Sequence, residues 1–270
     1  MDQRLTPREP KKPPKQPIQR YQRWLLVGSA AGALGLWELI VYLGELPAFI
    51  LPTPRRVAAR GWLALTDGTL LYHAGITLLE VVLGLIAGSL VATMLGYALS
   101  RSRVVEQLVS PYLVASQAIP VVAIAPLLVI WFGPGMFSKV LVCALIVFFP
   151  ILVNTMVGLQ AVSEDLHDLM RAMRATRWQT LRYLELPAAL PVILGGLRVG
   201  ATLSVTGAVV GEFIGADRGL GFLINVGRGQ YDTALVFVTI FALVVMALSL
   251  YGLVILAERR LLRWRQNGHQ

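Results

Sequence analysis

Apolar residues run in six blocks along the chain, broken by charged, glycine-rich or proline-bearing stretches: Trp24–Leu43, Tyr72–Ser100, about Leu108–Phe132, Val140–Leu159, Ala188–Gly211 and Thr233–Ala257. Each is long enough to cross about 30 Å of hydrocarbon as a helix. The pattern predicts an all-α polytopic membrane bundle of six transmembrane helices. Pro111, Pro120 and Pro126 are expected to kink or interrupt the third block, because proline removes a helical donor. Between the first two blocks, Thr53-Pro54 reads as an N-cap followed by proline at the first helical position. Ala58, Trp62 and Leu65 then recur at helical spacing beside Arg55, Arg56 and Arg60, which predicts a short helix lying on the membrane surface. Glycines recur four apart at Gly28/Gly32, Gly84/Gly88, Gly196/Gly200 and Gly207/Gly211/Gly215, a spacing that lets helix backbones approach closely in lipid.

Composition agrees with the blocks. Of 270 residues, 56% are apolar and 14% charged, with mean hydropathy +0.67. A soluble domain has nearer 25% charged residues. Six spans leave no room for a large soluble catalytic module. The net charge of +9 would point to nucleic acid in a soluble protein, but here the basic residues flank the apolar blocks. With residues 1–23 inside, seventeen Lys and Arg fall on the inner side and six, including Lys139, on the outer. Both termini are therefore expected in the cytoplasm. Residues 1–23 read as a disordered polar tail, 24–258 as the membrane domain and 259–270 as a basic cytoplasmic tail.

The residues for most chemistry are missing. Cys143 is the only cysteine, so a disulfide framework or multi-thiolate metal site within one chain is excluded. His73, His167 and His269 are far apart in sequence, and neither H-E-x-x-H nor G-x-S-x-G occurs. A phosphate-binding P-loop needs Gly before Lys, yet Lys11, Lys12, Lys15 and Lys139 follow Pro, Lys, Pro and Ser. Nucleotide energy, if used, must come from another subunit. No inverted repeat or matched pair of broken helices marks a self-contained carrier.

The most informative stretch joins the fourth and fifth blocks. Ser163 is a candidate N-cap, and Glu164 and Asp165 suit the positive end of a helix dipole. Leu166, Leu169, Met170 and Met173 follow at i, i+3, i+4 and i+7, giving an apolar stripe beside Arg171 and Arg174. A second short helix is expected from about Thr176 to Leu186, ending where Leu186-Pro187 and Pro191 return the chain to the membrane. Such a stripe either packs on the protein's own spans or lipid headgroups, or docks another protein.

This stretch resembles the EAA loop of integral membrane permease subunits of bacterial ABC importers. Counting back from Pro187, Asp168 falls at the family's Glu, Leu169 and Met170 at its two Ala positions, and Arg174 at its Gly. Ala175-Thr-Arg-Trp-Gln-Thr180 and Leu186-Pro-Ala-Ala-Leu-Pro191 match closely. Leu51-Pro-Thr-Pro54, Thr77-Leu78 leading to Gly84, Ile119-Pro120, Trp131-Phe-Gly133, Gly195-Gly-Leu-Arg198, Glu212 and Gly219-Leu-Gly221 extend the likeness over roughly residues 50–258. The resemblance is to the branch that includes sulfonate, taurine, nitrate, pyrimidine-precursor and riboflavin importers, with Leu-Met-Arg-Ala-Met-Arg nearest the vitamin and pyrimidine-precursor members.

The resemblance implies a homodimer in the bacterial cytoplasmic membrane, with two cytoplasmic ATP-binding subunits, an extracytoplasmic solute-binding protein and no cofactor. It implies a coupling loop at 160–187, contacted through Asp168, Leu169, Met170, Met173, Arg174, Ala175, Thr176, Trp178, Leu186 and Pro187. Riboflavin or a thiamine pyrimidine precursor is the expected cargo; an aliphatic sulfonate, taurine or nitrate is the alternative. An ion-coupled carrier and a non-transporting scaffold are the rivals from other classes. Arg174 departs from the pattern: a left-handed turn strains a non-glycine residue, so the bend is expected at Ala175-Thr176, or the two helices nearly continuous. Ionisable residues inside spans point to function or to pairing. Glu80 is expected to pair with Arg198, and Glu212, with Gln117, Asn154, Thr202 and Thr206, to border the solute route.

Overall fold

The structure, a computed structural model, describes residues 18–262. Of the expected tails 1–23 and 259–270, residues 1–17 and 263–270 lie outside the described residues. Every regular element among the described residues is helical: α1 (Ile18–Leu43), α2 (Pro54–Thr66), α3 (Thr69–Ser100), α4 (Arg103–Gln117), α5 (Val121–Phe132), α6 (Met136–Gln160), α7 (Glu164–Ala172), α8 (Arg177–Thr180), a π-helical turn (Leu181–Glu185), α9 (Leu186–Phe213), α10 (Leu220–Gly229) and α11 (Thr233–Leu261). Among the described residues, four stretches are long and apolar enough to cross a membrane: α3, α6, the continuous helical run Arg177–Phe213, and α11.

The third apolar block is interrupted, as its prolines lead one to expect, into a bent pair of helices. Val104–Gln117 and Val121–Phe132 meet at 88°. Pro120 makes the break as the extended N-cap of α5 (φ −65°, ψ 118°), because it cannot donate and it disfavours a helical residue before it. Pro111 and Pro126 stay inside α4 and α5. The first block is 26 residues of helix in α1 and starts at Ile18, inside the expected tail. Trp37 fastens it to α11, 5.2 Å from the ring of Phe237.

At the centre, α6 lies between α3 and α9. Glycines on both neighbours face it: Gly84, Gly88 and Gly96 on α3, and Gly196, Gly200, Gly207 and Gly211 on α9. A Cβ at Gly88 would stand 2.7 Å from the carbonyl oxygen of Ala144, and one at Gly207 2.8 Å from the Cα of Cys143. Backbone meets backbone at both seams. Cys143 is buried there and donates its thiol to the Ser204 carbonyl at 3.4 Å. Gly28 and Gly32 have nothing within 4 Å, and Gly215 lies in the turn after α9, so these three do not serve the helix seams. α11 exposes Phe241, Val244, Val245 and Leu248, an apolar face that lipid solvates without a partner.

α2 begins as its sequence indicates: Thr53 accepts the Arg56 N–H at 3.3 Å, with Pro54 at the first helical position. Val57 and Ala64 are buried, while Ala58, Trp62 and Leu65 face outward. Arg60 reaches Asp232 at 2.7 Å, and Asp232 also caps α11 by accepting the Leu235 N–H at 3.0 Å.

The glycine seams generate a test. Gly88→Ala is expected to lower the thermal midpoint of the detergent-solubilised chain by at least about 3 °C, from an overpacking cost of about 1–3 kcal/mol. Gly252 has open space around it, so Gly252→Ala is expected to leave the midpoint unchanged or raise it slightly.

Candidate functional site

None of the side chains of α7 is buried. Leu166, Leu169 and Met173 are 44%, 54% and 70% exposed, so the stripe is a free ridge at one end of the bundle and does not pack on the protein's own spans. Met170 is half-buried and Asp168 exposed, paired with Arg171 at 2.7 Å. The dipole match of Glu164 and Asp165 is present, with Arg171 in the last turn.

The turn after α7 falls at Arg174, which takes φ +52°. Arg174 therefore occupies the left-handed position, and the bend is neither at Ala175-Thr176 nor absent. The hydrogen bonds explain how it is held. The Ala175 N–H donates to the Met170 carbonyl at 3.0 Å and the Arg174 N–H to that of Arg171 at 2.9 Å. These are the two bonds of a Schellman motif, with Arg174 where glycine is usual. Thr176 then caps the next helix in a reciprocal box: its hydroxyl accepts the Gln179 N–H at 3.3 Å, and its own N–H donates to the Gln179 side chain at 2.7 Å.

The second arm does not end at Leu186-Pro187. α8 passes through the π turn directly into α9, giving one helical run of 37 residues from Arg177 to Phe213. Pro187 sits in the first turn of α9 and Pro191 within it. The wider π turn, closed by the Leu186 N–H on the Leu181 carbonyl, admits the prolines without stopping the helix. Trp178, Tyr183 and Leu186 are exposed, while Ala175 and Pro187 are half-buried.

Three residues of this site escaped the sequence reading. Glu185, 5% exposed, accepts from both terminal nitrogens of Arg101 at 2.9 and 3.0 Å. His167 Nε2 lies 3.4 Å from the same carboxylate. A cleft of about 660 Å³ opens beside them, lined by Ser100, Arg101, Gln107, Gln160, His167 and Glu185 among others. The one sequence signal was Glu185 itself, an acidic residue where a helix enters an apolar block.

At the opposite end of the bundle, buried charges gather. Glu80 pairs with Lys139 at 3.1 Å and lies beside Glu212. Arg198 pairs instead with Glu258, so the expected Glu80–Arg198 pair does not form. Lys139, counted by sequence among outer surface charges, is only 4% exposed. The carboxylate of Glu212 accepts the Thr77 hydroxyl at 2.6 Å and the Gly221 N–H. The Leu220 N–H donates to Thr77 at 2.7 Å and the Gly219 N–H to His73 Nδ1 at 3.0 Å. Side chains from α3 and α9 thus satisfy the first donors of α10, which a helix cannot satisfy itself. In the adjoining loop, a hydrogen bond from Arg218 holds the Asp217 carboxyl below the usual carboxylate range.

The remaining route candidates lie apart from that cluster. Gln117 is exposed at the end of α4, and Thr206 is exposed on α9 with half-buried Thr202 one turn before it. Thr202 donates to the Val199 carbonyl at 2.9 Å. Asn154 is half-buried against Gly196 and donates to the Pro150 carbonyl at 2.7 Å. Glu212 is wholly buried. Among the described residues no cluster of His, Cys, Asp and Glu could hold a metal.

The family model for binding-protein-dependent transport system inner membrane components matches residues 81–263. The riboflavin transport system permease protein RibX of Chloroflexus aurantiacus is 48% identical over 231 residues, 86% of each chain. The formylaminopyrimidine transport permease protein ThiX of Halalkalibacterium halodurans is 36% identical over 231 residues, 86% of this chain and 92% of its own. Among solved structures, the MetNI methionine ABC transporter in inward facing conformations superposes with a TM-score of 0.57 at 21% identity, over 71% of this chain and 93% of that one.

The left-handed residue can be tested alone. Arg174→Gly removes about 1 kcal/mol of backbone strain and is expected to raise the thermal midpoint by about 1–3 °C. A fall would mean that the arginine side chain, not the turn geometry, holds the loop.

Proposed function

The chain belongs to the binding-protein-dependent transport system inner membrane components, and from that premise we propose that it carries riboflavin into the cell through a homodimer whose coupling loops seat on two ATP-binding subunits. It is the permease component of an ABC importer and not the ATPase, a multi-pass protein of the inner membrane. The observation that supports the cargo most is the 48% identity to a riboflavin permease over most of both chains. The relative at 36% is named for a formylaminopyrimidine, another flat nitrogen heterocycle, and a thiamine pyrimidine precursor is the second reading. Both favour such rings over an aliphatic sulfonate, taurine or nitrate.

In this reading the four long helices, the bent α4–α5 pair and α1 make six crossings, with residues 1–23 and 259–270 as cytoplasmic tails flanking a 24–258 membrane domain. The loop end faces the cytoplasm and the α10 end faces the binding protein. The exposed ridge Leu166, Leu169 and Met173, with Met170, Trp178 and Leu186, lies in a groove of the ATP-binding subunit. Asp168 lies at its rim, and the left-handed turn at Arg174, followed by Ala175 and the Thr176 cap, sets the angle between the arms, with Pro187 where the second arm runs on into α9. Gln117, Asn154, Thr202 and Thr206 border the route, and Glu212 holds its outer end. ATP shifts the outward–inward equilibrium only because the ATP-binding pair contacts the two states with different affinity.

Two outcomes test this. Met173→Glu places a charge on the exposed ridge; it is expected to leave the thermal midpoint of the permease unchanged and to abolish co-purification of the ATP-binding subunit. In proteoliposomes holding the full complex and its binding protein, labelled riboflavin is expected to accumulate with ATP inside and not with an ion gradient alone. Uptake of a formylaminopyrimidine in its place would move the cargo to the second reading, and accumulation by the permease alone would overturn the importer.

A further inference from the structure

The continuous helix 177–213 is the lever by which the coupling loop enters the membrane, and it has a weak stretch. Over Leu181–Glu185 the backbone pairs in the π pattern. Pro187 and Pro191 cannot donate to the carbonyls one turn before them. A push received at α7 or Trp178 would dissipate in bending this stretch unless something braces it. Glu185 is in it, and it is buried.

Its brace is α3. The two guanidinium nitrogens of Arg101 grip both oxygens of Glu185 at 2.9 and 3.0 Å, and such paired bonds fix direction as well as distance. Arg101 is itself held from α3, hydrogen-bonded to the Tyr97 hydroxyl with its guanidinium 4.5 Å from the centre of that ring. His167 brings α7 to the same carboxylate at 3.4 Å. One carboxylate therefore joins the first coupling helix, the lever and α3. The far end of α3, about 42 Å away for the 28 residues from His73 to Arg101, carries His73, Thr77 and Glu80. Two of these accept the first N–H groups of α10, and the third pairs with Lys139.

We propose that Glu185, through Arg101, is a positioning residue that makes α3 a second rod, so that movement of the coupling loop reaches α10 through α3 as well as through α9. The inference rests on the permease reading. Without the clamp the ATP-binding subunits still bind the ridge and hydrolyse ATP, but the α10 end no longer follows.

The test uses the assembled complex with its binding protein in proteoliposomes. Glu185→Ala is expected to leave co-purification of the ATP-binding subunits and basal ATP hydrolysis unchanged and to lower solute taken up per ATP about tenfold. Glu185→Gln keeps an acceptor for one nitrogen and is expected to recover part of that loss. Arg101→Met is expected to match Glu185→Ala, and the double variant to lose no more than either. Wild-type uptake per ATP in Glu185→Ala overturns the proposal, as does loss of the ATP-binding subunits, which would make the clamp a seat for the loop only. If Glu185→Ala does not accumulate, Arg101→Lys is measured on the same ratio, and an unchanged ratio overturns it. A wild-type complex that takes up none of the chosen cargo strikes the substrate reading instead. The clamp is then read from stimulation of ATP hydrolysis by the binding protein, which Glu185→Ala is expected to abolish.

Discussion

A bilayer gives two apolar helices no reason to leave lipid for each other, since hydrocarbon solvates leucine as well as another helix does. What joins them must be van der Waals contact close enough to outdo lipid packing, and in this chain the glycine faces of α3 and α9 bring their backbones against α6. Everything else is arranged around that seam. It makes the centre of the molecule narrow and rigid, because a packed interior shifts between discrete arrangements more readily than it deforms. At the α10 end, Glu80, Lys139 and Glu212 are almost wholly buried. Removing any one partner there would strand a charge in low dielectric, a far larger penalty than the pair's net worth.

Such a cluster is a poor source of stability and a good source of definition. Glu212 from α9 and His73 and Thr77 from α3 take the leading N–H groups of α10. These are donors that lipid cannot satisfy. α10 is therefore tied to two helices by bonds that must move together or break together. At the other end, Glu185 and Arg101 tie those same two helices through one carboxylate. α3 and α9 thus run antiparallel, tied to each other at both ends and both packed on α6, a frame suited to passing a displacement from end to end.

The sequence was legible wherever a local rule decides. Helical spacing placed the ridge of Leu166, Leu169 and Met173, and cap chemistry placed the start of α2 at Thr53-Pro54. Small-residue spacing identified the seams at Gly84/Gly88, Gly196/Gly200 and Gly207/Gly211. It also flagged Gly28/Gly32, which no helix among the described residues approaches; spacing permits contact but does not say who supplies the other surface. Charge pairing failed for a related reason. Glu80 and Arg198 are both in spans, yet Lys139, at the edge of its block, is the partner of Glu80, and Arg198 reaches Glu258 near the end of α11. Arg101 and Glu185 are 84 residues apart, and nothing in either neighbourhood names the other. Proline was misjudged at Leu186-Pro187, where a π turn absorbs the missing donors, and rightly weighted at Pro120, where none does.

Arg174 is the most instructive departure. A left-handed arginine costs about 1–2 kcal/mol relative to its preferred backbone, and the residue-type rule alone moves the bend elsewhere. The turn is decided by its neighbours. The Ala175 and Arg174 N–H groups close on the last carbonyls of α7, and the Thr176–Gln179 box starts the next helix two residues later. With a stop and a start fixed that close together, only one residue is left to reverse direction, whatever its side chain. Glycine at this position makes the geometry cheap but does not create it. An arginine in its place adds a cation at the negative end of the α7 dipole, beside an exposed apolar ridge. The strain is thus exchanged for a charged, exposed group beside that ridge.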